Sequence, residues 1–296
     1  MNILKKRQKS IKKTIGYILV LLGIAIPLSA FLMMSYRNFT GKKFYKVFLE
    51  EQKKISNTKR IELENSINAY NDSVSVDAYK KGNNSSIVDP FVAEEYQGSY
   101  PSNLDKNVPF AYLRIPKMDF YKPIYLDATW EHMDKGVAQV DGTSLPVGGK
   151  GKKSVIAGHR DWWGDTMFLY LHKLQKGDKV YIERDSKVLE YEVDNFEVID
   201  PSQWEKLLPE DDKDILTLLT CEPFYPPRPY RLLVNCNRIV KDENNNNSND
   251  IEIKELKEEK TDPEIKKVNM IIYFISLFGL ISLGFVLYKF IIYLIR

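Results

Sequence analysis

The chain has 296 residues, enough by length for one or two domains, and 44% hydrophobic residues, which suits a globular core. Its net charge of +3 is small, yet between Ser85 and Val240 there are 19 Lys+Arg against 25 Asp+Glu, so the basic excess lies near the ends. A mildly acidic middle without a basic, aromatic-lined stripe argues against a nucleic-acid partner. Three histidines and no C-x-x-C pair argue against a structural metal, and no cofactor motif is present.

Residues 1–13 form a basic tail containing Lys5, Lys6, Arg7, Lys9, Lys12 and Lys13. Residues 14–36 are uncharged and rich in Leu and Ile, about the twenty residues that a bilayer core requires. The basic flank puts the tail in the cytoplasm. A cleaved signal peptide would start in the same way, but the apolar run is too long and no A-x-A site follows, so a retained anchor is expected. Residues 268–288 repeat the apolar pattern, and the short tail 289–296 carries Lys289 and Arg296. Two spans would return the C-terminus to the cytoplasm and leave everything between them outside the cell.

Residues 37–84 are polar, with Phe44, Phe48, Ile55, Ile67 and Tyr70 at loosely helical spacing, predicting one or two amphipathic helices. Lys81-Gly-Asn-Asn-Ser-Ser86 is a turn-forming break. Residues 85–108 read as a loop that includes Asp89, Pro90 and Phe91. From 109 to 240 short β-rich runs recur, at Ala111–Ile115, 121–125, 154–157, 179–183, 189–193, 197–199, 215–220 and 231–235. Separated by Gly, Pro and Asp turns, they predict a mainly β domain closed, or nearly closed, into a barrel. Short helices are expected near Trp130–Lys135 and 167–171. Residues 241–267 form a polar linker that opens with Glu243-Asn-Asn-Asn-Asn-Ser-Asn-Asp250.

Three of these strands end on chemistry. Leu216-Thr-Leu-Leu-Thr-Cys221 ends on a cysteine, and Ser154-Val-Ile-Ala-Gly-His159 ends on a histidine. Arg231 opens the last strand, Arg231-Leu-Leu-Val-Asn-Cys236. A thiol nucleophile, a proton carrier and a fixed cation on neighbouring strand ends would make an acyl-transfer site. Two cysteines outside the cell invite a disulfide. Strand alternation opposes it, because Arg231, Leu233 and Asn235 share one face while Cys236 points the other way. Cys236 is then a small buried hydrophobe and Cys221 a free thiol. His132 and His172 are expected to be solvated.

The chain resembles the sortases, transpeptidases that attach proteins to Gram-positive cell surfaces. The resemblance runs from about Pro109 to Ile239 and is carried by motifs in the family's order. These are Val108-Pro-Phe-Ala-Tyr-Leu-Arg-Ile-Pro116, Lys135-Gly-Val137, Gly142-Thr-Ser-Leu-Pro-Val-Gly-Gly149, Ala157-Gly-His-Arg160, Gly177-Asp178 and Leu218-Leu-Thr-Cys221. It implies a closed eight-stranded sortase-type β-barrel over residues 109–240. It also implies that Cys221 attacks the Thr-Gly bond of an LPXTG-like sorting signal and that His159 protonates the departing amine. Arg231 would bond the substrate carbonyl, with Arg228 its rival. Thr220 would be a structural or substrate-contacting residue. Cell-wall work on the outer face of a Gram-positive membrane follows from the same resemblance.

Asp89-Pro90-Phe91 resembles the lid of class C sortases, which build pili; an Asp there pairs with the catalytic Arg and an aromatic covers the cysteine. On that reading residues 85–108 are a lid loop, and the acyl group passes to a lysine amine of a pilin. Other sequences point toward housekeeping or class D sortases, which join surface proteins to peptidoglycan precursors. These are the loop after His159 and the connection Glu222-Pro-Phe-Tyr-Pro-Pro-Arg-Pro-Tyr230, which lacks the Gly-x-Asn of pilin-type families. A non-catalytic membrane-anchored adhesin or scaffold, with Cys221 in its core, is the alternative of a different class. A papain-like protease fits poorly, since its cysteine should precede its histidine. Leu145-Pro-Val-Gly-Gly149 mimics a sorting signal but lies mid-domain, where a structural turn is expected.

Overall fold

The computed structural model of the chain describes residues 2–81, 87–92, 100–160, 163–185, 187–240 and 260–295. Most of the expected turn 81–86, parts of the loop 85–108, Asp161, Trp162 and most of the linker 241–267 therefore lie outside the described residues. Two compact units emerge. One comprises residues 1–40, 162–166 and 263–296, the other 41–161 and 167–262.

The first unit holds residues 2–40 of the long helix α1 (Asn2–Lys53) and the apolar helix α5 (Pro263–Ile295). Both are long and apolar enough to cross a membrane, with mean hydropathy of 2.4 in their most apolar windows. Within this unit Ser35 and Ser276 exchange a hydroxyl hydrogen bond of 2.8 Å, and the Tyr17 ring lies 5.3 Å from that of Phe290. Pro27 is carried inside α1, and the helix runs on to Lys53 with no break where the sequence suggested that a separate extracellular helix begins.

In the second unit, α2 (Asn57–Ser73) starts at Ser56, whose side chain accepts from the Lys59 amide. α3 (Val76–Lys80) is capped in the same way by Ser75. These helices are fastened by specific polar contacts. The Asn71 side chain, fully buried, accepts from the Leu145 amide at 2.7 Å and donates to the Leu145 carbonyl at 3.4 Å. This amide stands in for a strand neighbour. It also shows what the sorting-signal look-alike is: a structural turn, with Leu145 fully buried.

The eight strands are β1 (Ala111–Ile115), β2 (Phe120–Leu126), β3 (Val137–Gln139), β4 (Lys152–Ala157), β5 (Lys179–Arg184), β6 (Lys187–Ile199), β7 (Asp214–Glu222) and β8 (Tyr230–Arg238). They close into a barrel in the order β1-β2-β3-β4-β7-β8-β6-β5. The β2–β3 and β4–β7 pairs are parallel and the others antiparallel. Two expected strands, 189–193 and 197–199, are one strand, β6, whose register shifts between Val193 and Asn195. That bulge breaks the alternation and makes one strand read as two. β3 was not expected, because three residues carry no periodicity. The helix α4 (Trp130–Lys135) forms as expected. Residues 167–170 are turns that lead into a 3-10 turn, Leu171–Lys173.

β7 is apolar on both faces for a physical reason. Leu216 and Leu218 point one way, while Leu219 joins Leu233, Ile199, Ala157, Val155 and Ala138 in a cluster on the opposite face. Ile87, Met133 and Leu207 cover that cluster, with Phe91 packed at its margin. Buried on both sides, a strand reads as a continuous apolar run.

Candidate active site

Register assembles the site. In the antiparallel β7–β8 pair Cys221 stands opposite Arg231, and Leu219 opposite Leu233. Opposed residues share a face, so the thiol and the guanidinium lie at one end of the covered apolar cluster. In the parallel β4–β7 pair Ala157 is level with Leu219, and the Gly158 amide continues the ladder to the Leu219 carbonyl at 3.1 Å. β4 ends at Ala157, and His159 is the second residue beyond it, as Cys221 is the second beyond Leu219 on β7. The chain then turns away, with the Phe168 amide on the His159 carbonyl.

Gly158 is required here by close approach. A Cβ at this position would stand 2.8 Å from Cδ2 of Phe168 and 3.0 Å from Cγ1 of Val137. Thr220, on the opposite face from Cys221, is fully buried and donates its hydroxyl to the Gly158 carbonyl at 2.7 Å. That bond ties β7 to the strand end before His159.

The His159 ring is framed by aromatics. Trp130 lies edge-on with centroids 5.7 Å apart, and Phe91 lies at 6.1 Å. Nε2 of His159 is 3.5 Å from a carboxylate oxygen of Asp134 on α4. His132 is not solvated: it is buried, stacked on Tyr125, with Nδ1 2.8 Å from the Asp127 carbonyl. His172 is exposed, and its ring meets Phe224 edge-on.

Cys221 and Cys236 are both free. Cys236 is fully buried, whereas Cys221 is half-buried at the surface end of β7. Burial pushes the Cys221 thiol above its ordinary range; the Arg231 cation pulls it down, and the Asp89 carboxylate pushes it up again.

The segment 87–92 lies over these groups. Asp89 accepts from Arg231 at both oxygens, with Nη2 2.6 Å from Oδ2 and Nε 3.0 Å from the same oxygen and 3.1 Å from Oδ1. Phe91 packs against the Arg231 guanidinium, 5.2 Å from ring centroid to Cζ. Pro90 is buried between them. Arg231 also donates to the Tyr230 carbonyl at 2.8 Å. Arg228, the rival cation, turns back into its own loop and donates to the Phe224 carbonyl at 2.9 Å. The register thus sets Arg231, not Arg228, directly across from the cysteine.

Sequence reasoning missed Arg160 and Glu222. The Arg160 guanidinium is buried, donates to the Cys221 carbonyl at 2.8 Å, and makes an ion pair with Glu222.

The sortase domain family model matches residues 113–239. Sortase A of Bacillus anthracis is 29% identical over 181 residues, covering 61% of this chain and 79% of that protein. The solved structure of sortase C-3 from Streptococcus pneumoniae is similar at a TM-score of 0.60 and 36% identity, over 67% of this chain and 90% of that one. Sortase C1 of GBS pilus island 1 gives a TM-score of 0.60 and 34% identity, over 66% and 96% of the two chains. A closed eight-stranded barrel, the motifs along it and these likenesses lead to one conclusion: the chain belongs to the sortase family of cysteine transpeptidases and is most like the class C members.

Proposed function

We propose that this sortase joins pilin subunits on the outer face of a Gram-positive membrane. The Cys221 sulfur attacks the threonine carbonyl of an LPXTG-like sorting signal. His159 gives a proton to the departing glycine amine, leaving a thioester. Arg231 donates to the substrate carbonyl oxygen as negative charge develops there, and a guanidinium suits that task because it keeps its proton. A lysine amine of the next pilin then attacks the thioester carbonyl, forming an amide and releasing the thiol. The two apolar helices would anchor the enzyme, with residues 14–36 and 268–288 in the bilayer and the domain between them outside.

The observation that carries this reading is the Asp89–Arg231 pair at 2.6 Å, together with Phe91 against the same guanidinium. Such a closed segment suits an enzyme that must exclude water and stray substrates until its proper partner displaces the cover. Similar structures include pilus-island and pilin-related sortases, which agrees with it.

Peptide turnover tests the reading. Wild type should cleave an LPXTG-like peptide and Cys221→Ala should not; equal turnover would end the cysteine-enzyme assignment. A pilin lysine peptide should serve as acceptor better than a peptidoglycan-type amine. The reverse preference would favour attachment of surface proteins to the cell wall, the second reading, which the proline-rich 222–230 loop keeps open.

A further inference from the structure

The β4–β7 ladder ends in a substitution. Up to Gly158, backbone amides of β4 and the residue after it donate to β7 carbonyls. The next acceptor due in a parallel ladder is the Cys221 carbonyl, two residues beyond Leu219. The chain has turned away by then, and the carbonyl is taken instead by Nη1 of Arg160 at 2.8 Å. The same nitrogen meets Oε2 of Glu222, the first residue after the cysteine. The Arg160 guanidinium also lies 5.5 Å from the centroid of Phe224, whose carbonyl receives Arg228. One side chain therefore touches the peptide of the cysteine, the residue after it, and an aromatic of the loop that leads to Arg231.

Arg160 is 2% exposed. A permanently charged group is costly to bury and persists where its partners repay the desolvation. Here the partners are the backbone of Cys221 and its immediate neighbour. We infer that Arg160, clamped by Glu222, is a positioning residue that holds the Cys221 peptide and the post-cysteine loop in the register that sets the thiol opposite Arg231. The inference rests on the reading of Cys221 as nucleophile. Its consequence is specific: the guanidinium fixes the direction of the thiol and also contributes to its electrostatic surroundings. The charged groups that act on Cys221 are Arg231, Asp89, Arg228 and Arg160, with Glu222 next to it in the chain and His159 two residues beyond the end of β4.

The test uses the full-length protein in detergent micelles, with an LPXTG-like peptide for turnover and iodoacetamide for alkylation of Cys221 across pH. Cys221→Ala supplies the background for both. Arg160→Gln should lower kcat by about 30-fold with KM little changed, since a displacement of about 1 Å is enough for losses of that order. Its alkylation midpoint should move to higher pH, because a cation beside the thiolate is gone. Arg160→Lys keeps the charge and should restore the midpoint, with the rate only partly recovered. Glu222→Gln should move the midpoint the other way, to lower pH. An Arg160→Gln protein with wild-type kcat and midpoint would overturn the inference. So would Gln and Lys variants impaired equally at an unchanged midpoint, which is the signature of packing alone. If Arg160→Gln does not fold, the other two variants decide: a wild-type kcat in Arg160→Lys together with a wild-type midpoint in Glu222→Gln refutes the clamp. Turnover unaffected by Cys221→Ala would instead bring down the nucleophile reading, a distinguishable failure.

Discussion

Asp89 and Arg231 are 142 positions apart in the chain and meet with Oδ2 2.6 Å from Nη2, their side chains only 13% and 7% exposed. A two-oxygen pairing this well shielded is geometrically specific and costly to break by removing one partner, and it places both oxygens of Asp89 on the cation that Cys221 faces. On the proposed reading, the segment acts on the site both by covering it and by occupying its guanidinium. Several consequences can be measured.

Removing the Asp89 carboxylate should activate the thiol. Burial and Asp89 both raise the Cys221 pKa, and Arg231 lowers it. In Asp89→Ala the raising effect of the carboxylate is lost and Arg231 is freed, so the thiolate forms at lower pH. Alkylation at a fixed pH below the midpoint should speed by about tenfold for each pH unit of that shift. A midpoint that stays in place in this variant would separate the cover from the chemistry.

Phe91→Ala should open the cover without touching charge. Its ring packs against both Arg231 and His159. Labelling of Cys221 should accelerate at every pH, with the midpoint moved less than in Asp89→Ala. Comparing the two pH profiles distinguishes steric cover from electrostatic restraint.

The two arginines should differ sharply. Arg231→Ala removes the cation opposite the cysteine and should lower kcat by about a thousandfold, in line with the loss of a donor to developing oxyanion charge. Arg228→Ala frees the Phe224 carbonyl and should cost about tenfold or less. Single-turnover acylation with the sorting-signal peptide measures both, and a reversed order would transfer the role to Arg228.

Gly158→Ala tests the turn before His159. The added methyl would meet Phe168 and Val137 at 3.0 Å or less, so the strand end must shift. Overpacking of this kind costs about 1–3 kcal/mol. Thermal unfolding should register that loss, and turnover should fall further than the loss of folded protein explains, because His159 moves with the turn.

Asn71→Ala is a stability variant remote from the thiol. It removes the Asn71 oxygen from the buried Leu145 amide, at a cost of about 1–3 kcal/mol, while the Leu145 carbonyl keeps the Val147 amide at 2.8 Å. For a chain of this size that lowers Tm by about 2–4 °C per kcal/mol. An unchanged Tm would show that water replaces the side chain at this turn.

Much of the architecture could be read from residues because its causes are local. Alternation and turn chemistry located most strands, and 3.6-residue periodicity located the polar helices. Reading failed where local signals end. Val137–Gln139 is too short to alternate, and the Val193/Asn195 bulge split one strand into two. His132 looked like a surface residue of a short helix, yet a tertiary stack on Tyr125 buries it. Cys221 and His159 stood out because each follows an apolar strand within a family motif, whereas Arg231, at the start of a strand, had Arg228 as its rival. Nothing in spacing joins Arg160 to the Cys221 carbonyl or Asn71 to Leu145.

By itself, then, the sequence determined that the chain makes short strands ending on a thiol, an imidazole and a guanidinium, with two apolar helices at its flanks. These properties follow from each residue and its near neighbours. Only the tertiary structure decided that Arg231 rather than Arg228 faces the cysteine, that Asp89 closes on it, and that Arg160 holds the cysteine's carbonyl. Those pairings depend on strand register and barrel closure, and both are set by the summed burial of residues far apart in the chain.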